Sequence, residues 1–212
     1  MNEYSPREES LNIVSHAIGF LLSTIALILL IIRAAATGSV WNTVSVIIFG
    51  LSLMLLYAAS TLYHSAKRKE VRNRLKIFDH AAIYVLIAGT YTPFTLITLN
   101  GTFGWIVFGV SWGMALIGII LKLFFTGKYG AISTLMYVLM GWMIVFAIQP
   151  LLNSLPLEGV QWLFAGGVSY TIGAVIYSIK KIKFNHAIFH LFVLFGSFCH
   201  FYSVYFYVLV SR

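Results

Sequence analysis

From Ala187 the chain reads Ala-Ile-Phe-His190-Leu-Phe-Val-Leu-Phe-Gly196-Ser-Phe-Cys199-His200-Phe-Tyr-Ser-Val-Tyr-Phe-Tyr-Val-Leu-Val210, without one aspartate, glutamate, lysine or arginine. A helix needs roughly 20 apolar residues to cross a bilayer, and this run is long enough. Six more such runs precede it: Leu11–Ile32, Trp41–Tyr63, Ile77–Leu99, Phe103–Leu121, Ala131–Ile148 and Gln161–Ile179. The composition agrees, at 60% hydrophobic and 9% charged residues with a mean hydropathy of +0.91, whereas a soluble domain is charged at about a quarter of its positions. The expectation is an all-α fold, a single seven-transmembrane helix bundle over residues 1–212.

The connectors carry turn residues, namely Thr37-Gly38-Ser39, Asn100-Gly101, Gly127 to Gly130 and Pro150 to Gly159. All are short, so neighbouring helices should run antiparallel. Arg7, Lys67, Arg68, Lys69, Arg72, Arg74, Lys76, Lys122, Lys128, Lys180, Lys181 and Lys183 collect on one side, leaving Arg33 and Arg212 for the other. Because lysine and arginine stay in cytoplasmic loops, the amino terminus is expected inside and the carboxy terminus outside, in a multi-pass protein of the cell membrane. The net charge of +8 therefore serves topology and contact with anionic lipid headgroups, and no nucleic-acid partner is expected. The first run is read as a retained helix. It is longer than a signal core, and Glu3, Glu8 and Glu9 precede it where a signal peptide is basic. Ser5-Pro6-Arg7-Glu8 fits a helix-capping pattern. Cys199, the one cysteine, is read as a small buried hydrophobe. Pro93 should kink the third helix and open space near its outer half.

Ionisable groups within membrane spans are costly unless paired or metal-bound, so each marks a candidate site. His16, His64, His80, His186 and His190, together with Asp79, the only aspartate in the chain, fall near the basic end of their spans. His186 and His190 stand at i and i+4, a spacing that offers two imidazoles to one ion. His64 makes a third ligand. Asp79 is either a fourth ligand or a base that holds a water, and Ser60, one turn before His64, can donate a hydrogen bond. Neutral imidazoles without thiolates suit zinc better than copper, nickel or iron. An interfacial histidine pair with wet tips is the plainer alternative. His200 is too deep to share the ion and should line a cavity beneath it. Glu9, Asn12 and His16 share a face of the first helix and are read as hydrogen-bonded support, and His80 as an interface residue.

Glu9-Ser10-Leu11-Asn12-Ile13-Val14-Ser15-His16, Ser60-Thr61-Leu62-Tyr63-His64, Phe78-Asp79-His80-Ala81-Ala82-Ile83-Tyr84 with Gly89 to Pro93, and His186 to His190 with His200 resemble the motifs of the hemolysin III family, the bacterial branch of the progestin and adiponectin receptor superfamily. The resemblance covers essentially the whole chain. It implies zinc on His64, His186 and His190, with Asp79 contacting zinc-bound water. Through the similarity of that family to alkaline ceramidases it also implies hydrolysis of a lipid amide. No long soluble region leads the sequence, so hormone or adiponectin reception is not expected.

Three functions follow as expectations. The first is a zinc-dependent lipid amide or ester hydrolase, or a lipid-sensing enzyme, with membrane lipid as partner. The second is a receptor or sensor of membrane state with structural zinc. The third is a cytolytic pore or transporter, against which stands the lack of charge deep in any span.

Overall fold

A computed structural model describes residues 4–125 and 130–210, with the backbone alone for 130 and 131. Among them seven helices are long and apolar enough to cross a membrane: α1 Pro6–Ala35, α2 Val40–Ser65, α3 Lys69–Leu99, α4 Gly101–Phe125, α5 Ile132–Ser154, α6 Leu157–Ser178 and α7 Asn185–Val208. The all-α seven-helix fold is the one expected. α1 packs on α2 and α7, α2 on α3, α3 on α4, and α6 on α7, while α5 touches α3, α4 and α6. Glu3, Gly127, Lys128 and Arg212 lie outside the described residues.

The side-chain distribution inverts that of a soluble protein. Leu21, Ile32, Phe124 and Phe146 are exposed on the rim, and Asn12, Ser45, Ser111 and His190 are buried. A bilayer has no water to satisfy polar groups, so they turn inward and bond each other or a carbonyl. The Ser52 hydroxyl, for example, donates to the Phe49 carbonyl at 2.7 Å.

Ser5 caps α1 as expected, its hydroxyl accepting from the Glu8 amide at 3.3 Å, with Pro6 at the helix start. α3 begins at Lys69 rather than Ile77. The basic stretch expected as a loop is helical because lysine, glutamate and arginine are good helix formers. Its charges therefore ride on the first turns of α3. At the other end of α3, Pro93 has no amide to give the Gly89 carbonyl, and the helix passes into a π turn over Phe94–Leu99. Threonine hydroxyls absorb the disturbance, Thr92 donating to Ala88 and Thr95 to Tyr91, each at 3.0 Å.

α5 departs most from expectation. Its α-helix ends at Gly141, continues as a 3₁₀ turn over Met143–Ala147, and resumes through Ser154. The Tyr91 hydroxyl plugs the break, donating toward the Gly141 carbonyl at 2.8 Å and accepting from the Ile144 amide at 2.8 Å. Pro150, expected to open a loop, falls instead in the first turn of the resumed segment. A missing amide hydrogen costs little there, and the turn comes at Leu155-Pro156.

Gly104 shows how closely α4 meets the π turn, because a β-carbon there would collide with the Thr95 carbonyl oxygen. Backbone cannot yield as a side-chain tip can. Gly104→Ala is expected to lower the unfolding midpoint in detergent by about 5 °C, as overpacking costs of about 1–3 kcal/mol imply. Gly109→Ala, where nothing lies within 4 Å, should leave the midpoint unchanged. Equal midpoints for the two variants would contradict the close backbone approach.

Candidate metal centre and cavity

Two helices deliver the three histidines. His64 ends α2, and His186 and His190 lie on the first turns of α7. The chain enters α7 through Phe184, whose φ of 58° is left-handed. There the Asn185 side-chain amide donates to the Tyr177 carbonyl at 2.8 Å, tying the start of α7 to the end of α6. All three rings are buried, and one donor atom from each lies within 4.8 Å of the others. Among the described residues this cluster comprises the three histidines alone, and it could hold a metal ion. Asp79 stands outside it, on the wall of the adjoining cavity.

The outer nitrogens settle how the rings face. His64 Nδ1 lies 2.7 Å from Glu9 Oε2, and because a carboxylate only accepts, Nδ1–H donates. Ser15 gives its hydroxyl proton to the Asn12 carbonyl at 3.1 Å, so His190 Nδ1, 3.1 Å from the same oxygen, donates too. His186 Nδ1 pairs with the Tyr4 hydroxyl at 2.8 Å. In neutral rings so held, the Nε2 atoms of His64 and His190 are lone pairs aimed inward. Nε2 of His64 and Nε2 of His186 are 3.2 Å apart. Tetrahedral zinc with bonds of about 2.0–2.1 Å spaces its nitrogen donors by about 3.3 Å, so the donor set fits such an ion. A shell of outer partners that fixes tautomer and ring orientation is what histidine ligands ordinarily need.

Glu9 is itself held by the Arg72 guanidinium, which reaches from the first turns of α3. Asn12 Nδ2 lies 3.5 Å from His64 Nδ1. His16 does not join this hydrogen-bonded shell. Its ring stacks on His190, with centroids 3.5 Å apart and planes 8° from parallel, and both of its nitrogens are buried without a partner. Sequence reasoning gave Tyr4, Ser15 and Arg72 no part in the metal site. For Ser15, its place three residues after Asn12 on the polar face of α1 was an available signal. For Tyr4 and Arg72 there was none, because their partners lie on other helices.

Beneath the cluster lies a cavity of about 210 Å³. Its head is bordered by His16, Ser60, Asp79, His186 and His190, and its depth by apolar side chains such as Leu86, Phe94 and Val193. The Ser60 hydroxyl is buried there beside the Asp79 carboxyl. His200 lines the cavity deeper down and donates from Nε2 to the Leu163 carbonyl at 3.1 Å. His80, expected at an interface, also lines it, and its carbonyl accepts from the Tyr137 hydroxyl at 3.0 Å.

A sequence model described as haemolysin-III related matches residues 4–201. The chain is similar to a protein named Hemolysin-3 homolog from Bacillus subtilis, 49% identical over 204 residues that cover 96% of each chain. It is 48% identical to Hemolysin-3 of Bacillus cereus over 96% of its own length and 93% of that protein's. It is also 30% identical to the monocyte to macrophage differentiation factor of Homo sapiens, over 79% of this chain and 72% of the human one.

Proposed function

The chain belongs to the haemolysin-III related family, and from its histidine cluster and cavity we infer that it is a zinc-dependent hydrolase of a membrane-lipid amide or ester. The observation that carries this reading is the opening of the cluster onto an apolar cavity whose head holds an aspartate with a buried serine hydroxyl beside it. His64, His186 and His190 would hold the zinc. When bound, such an ion polarises a carbonyl and makes water acidic. Asp79, on the cavity wall, would take a proton from a water at the cavity head and return it to the leaving amine or alkoxide. The Ser60 hydroxyl can donate to the carbonyl oxygen as charge builds on it. His16 braces His190 by stacking, and the apolar walls take the acyl chain and keep bulk water away from the reacting bond. The same reading sets the cluster at the cytoplasmic face of the cell membrane, supported by Arg7, Lys67, Arg68 and Lys180 at the helix ends around it.

Asp79→Asn should retain zinc yet lose hydrolysis of lipid amides or esters by about 10²-fold or more, the usual worth of a positioned base. The check is elemental analysis beside product release from the purified protein. Protein that keeps zinc but cleaves no lipid amide or ester would sink the enzyme reading and leave the sensor with structural zinc. That sensor would lose thermal stability on chelation and show no turnover.

A further inference from the structure

Outside the histidine cluster, Lys122 on the last turn of α4 is a buried ammonium. Only 5% of it is exposed, so it does not extend its ammonium to the headgroup layer as a lysine near a helix end can. Its Nζ instead donates to the Ser133 hydroxyl of α5 at 2.6 Å and lies 5.8 Å from the centre of the Tyr137 ring. Lys122, Ser133 and Tyr137 all line the cavity that also meets the histidines. Among the described lining residues, Lys122 is the one ammonium and Asp79 the one carboxylic acid. Two further cations sit nearby. Lys76 lies close enough to act on both Asp79 and Lys122, and Lys180 packs 4.0 Å over the ring of Tyr177, another lining residue. Positive charge therefore exceeds negative at this end of a mostly apolar cavity. Packing alone does not call for an ammonium there, since an apolar side chain of similar length would fill the space without a desolvation cost.

We propose that Lys122, positioned by the Ser133 hydroxyl, seats the anionic headgroup of an amphiphile whose acyl chain lies along Leu86, Phe94 and Val193. The headgroup chemistry is a carboxylate or a phosphate monoester, either of which an ammonium holds by a charge-assisted hydrogen bond. This rests on reading the cavity as a lipid site and names the class of lipid. A headgroup so seated lies in the cavity that Asp79 and Ser60 also line, and leaves the bonds beyond it to them.

The test uses the zinc-loaded full chain in a neutral maltoside detergent and compares binding of radiolabelled oleate, oleyl phosphate and oleyl alcohol. Wild type should bind both anions at least about tenfold more tightly than the alcohol, as one charge-assisted contact implies. Lys122→Gln should bring the three to about the same affinity without weakening the alcohol, and Lys122→Arg should restore the preference. His190→Ala should keep the preference, because the seat is the ammonium and not the metal. Equal binding of anion and alcohol by wild type overturns the headgroup seat alone, whereas binding of none of the three overturns the lipid cavity as well. A preference that survives Lys122→Gln, or is lost in His190→Ala, assigns the anion to the metal and overturns the proposal. Displacement of oleate by inorganic phosphate would make the seat a site for a soluble anion, which overturns it too. If Lys122→Gln does not purify as a monodisperse protein, the wild-type comparison and His190→Ala still decide.

Discussion

Purified His190→Ala protein is expected to carry almost no zinc where the wild type carries about one ion per chain, since a site with three protein ligands seldom survives the loss of one. His190 is the ligand with least room for replacement. It is buried on all sides, its Nδ1 is held by Ser15, and its ring is stacked on His16. Alanine leaves His64 and His186 with nothing to complete the triangle. The stability readout is independent of any activity. Bound ion at about 100 times its dissociation constant adds about 2.7 kcal/mol to the folded state. A chelator should therefore lower the unfolding midpoint of the wild type and leave that of the variant alone. His200→Ala is the control, because His200 bonds the Leu163 carbonyl away from the cluster and its loss should spare the metal. Stoichiometric zinc in His190→Ala would refute the three-histidine site.

A large effect is also expected from a residue that need not touch the ion. Glu9→Gln should weaken zinc binding by about 10–100-fold, the usual cost of removing a partner that orients a histidine ligand. One oxygen of the Glu9 carboxylate accepts from His64 Nδ1 at 2.7 Å and the other is held by Arg72. The amide keeps the shape of this bridge but removes its charge. It can also turn its nitrogen toward His64, which would favour the tautomer with the lone pair facing outward. A competition titration against a chromophoric chelator reads the change directly. Unchanged affinity would mean that α1 supports the bundle and not the metal site.

Much of the site was legible along the chain because its signals are local. The i, i+4 spacing of His186 and His190, and the position of His64 at the end of an apolar run, need no knowledge of the partners. Tyr4 and Arg72 carry no such signal. A tyrosine and an arginine at a membrane boundary are ordinary in any sequence, and their use depends on which helix end comes to rest beside them. His16 shows the opposite failure. Its place on the polar face of α1 suggests a hydrogen bond, but the close approach of α1 to α7 turns it flat against His190. α5 escapes a reading along the chain because Pro150 is a strong breaker only within an unbroken helix. Here the break has already come at Gly141, where the Tyr91 hydroxyl of α3 satisfies the freed backbone.

The sequence by itself determined seven membrane crossings and a line of histidines near one end of them. A helix crosses hydrocarbon when it is long and largely uncharged, and ionisable groups within a span are costly enough to mark a candidate site. The tertiary structure decided which nitrogen of each ring faces inward, that Asp79 stands on the cavity wall outside the triangle, and that Lys122 turns into the bundle. Those are contacts between helices far apart along the chain, and their geometry is set by how the helices pack.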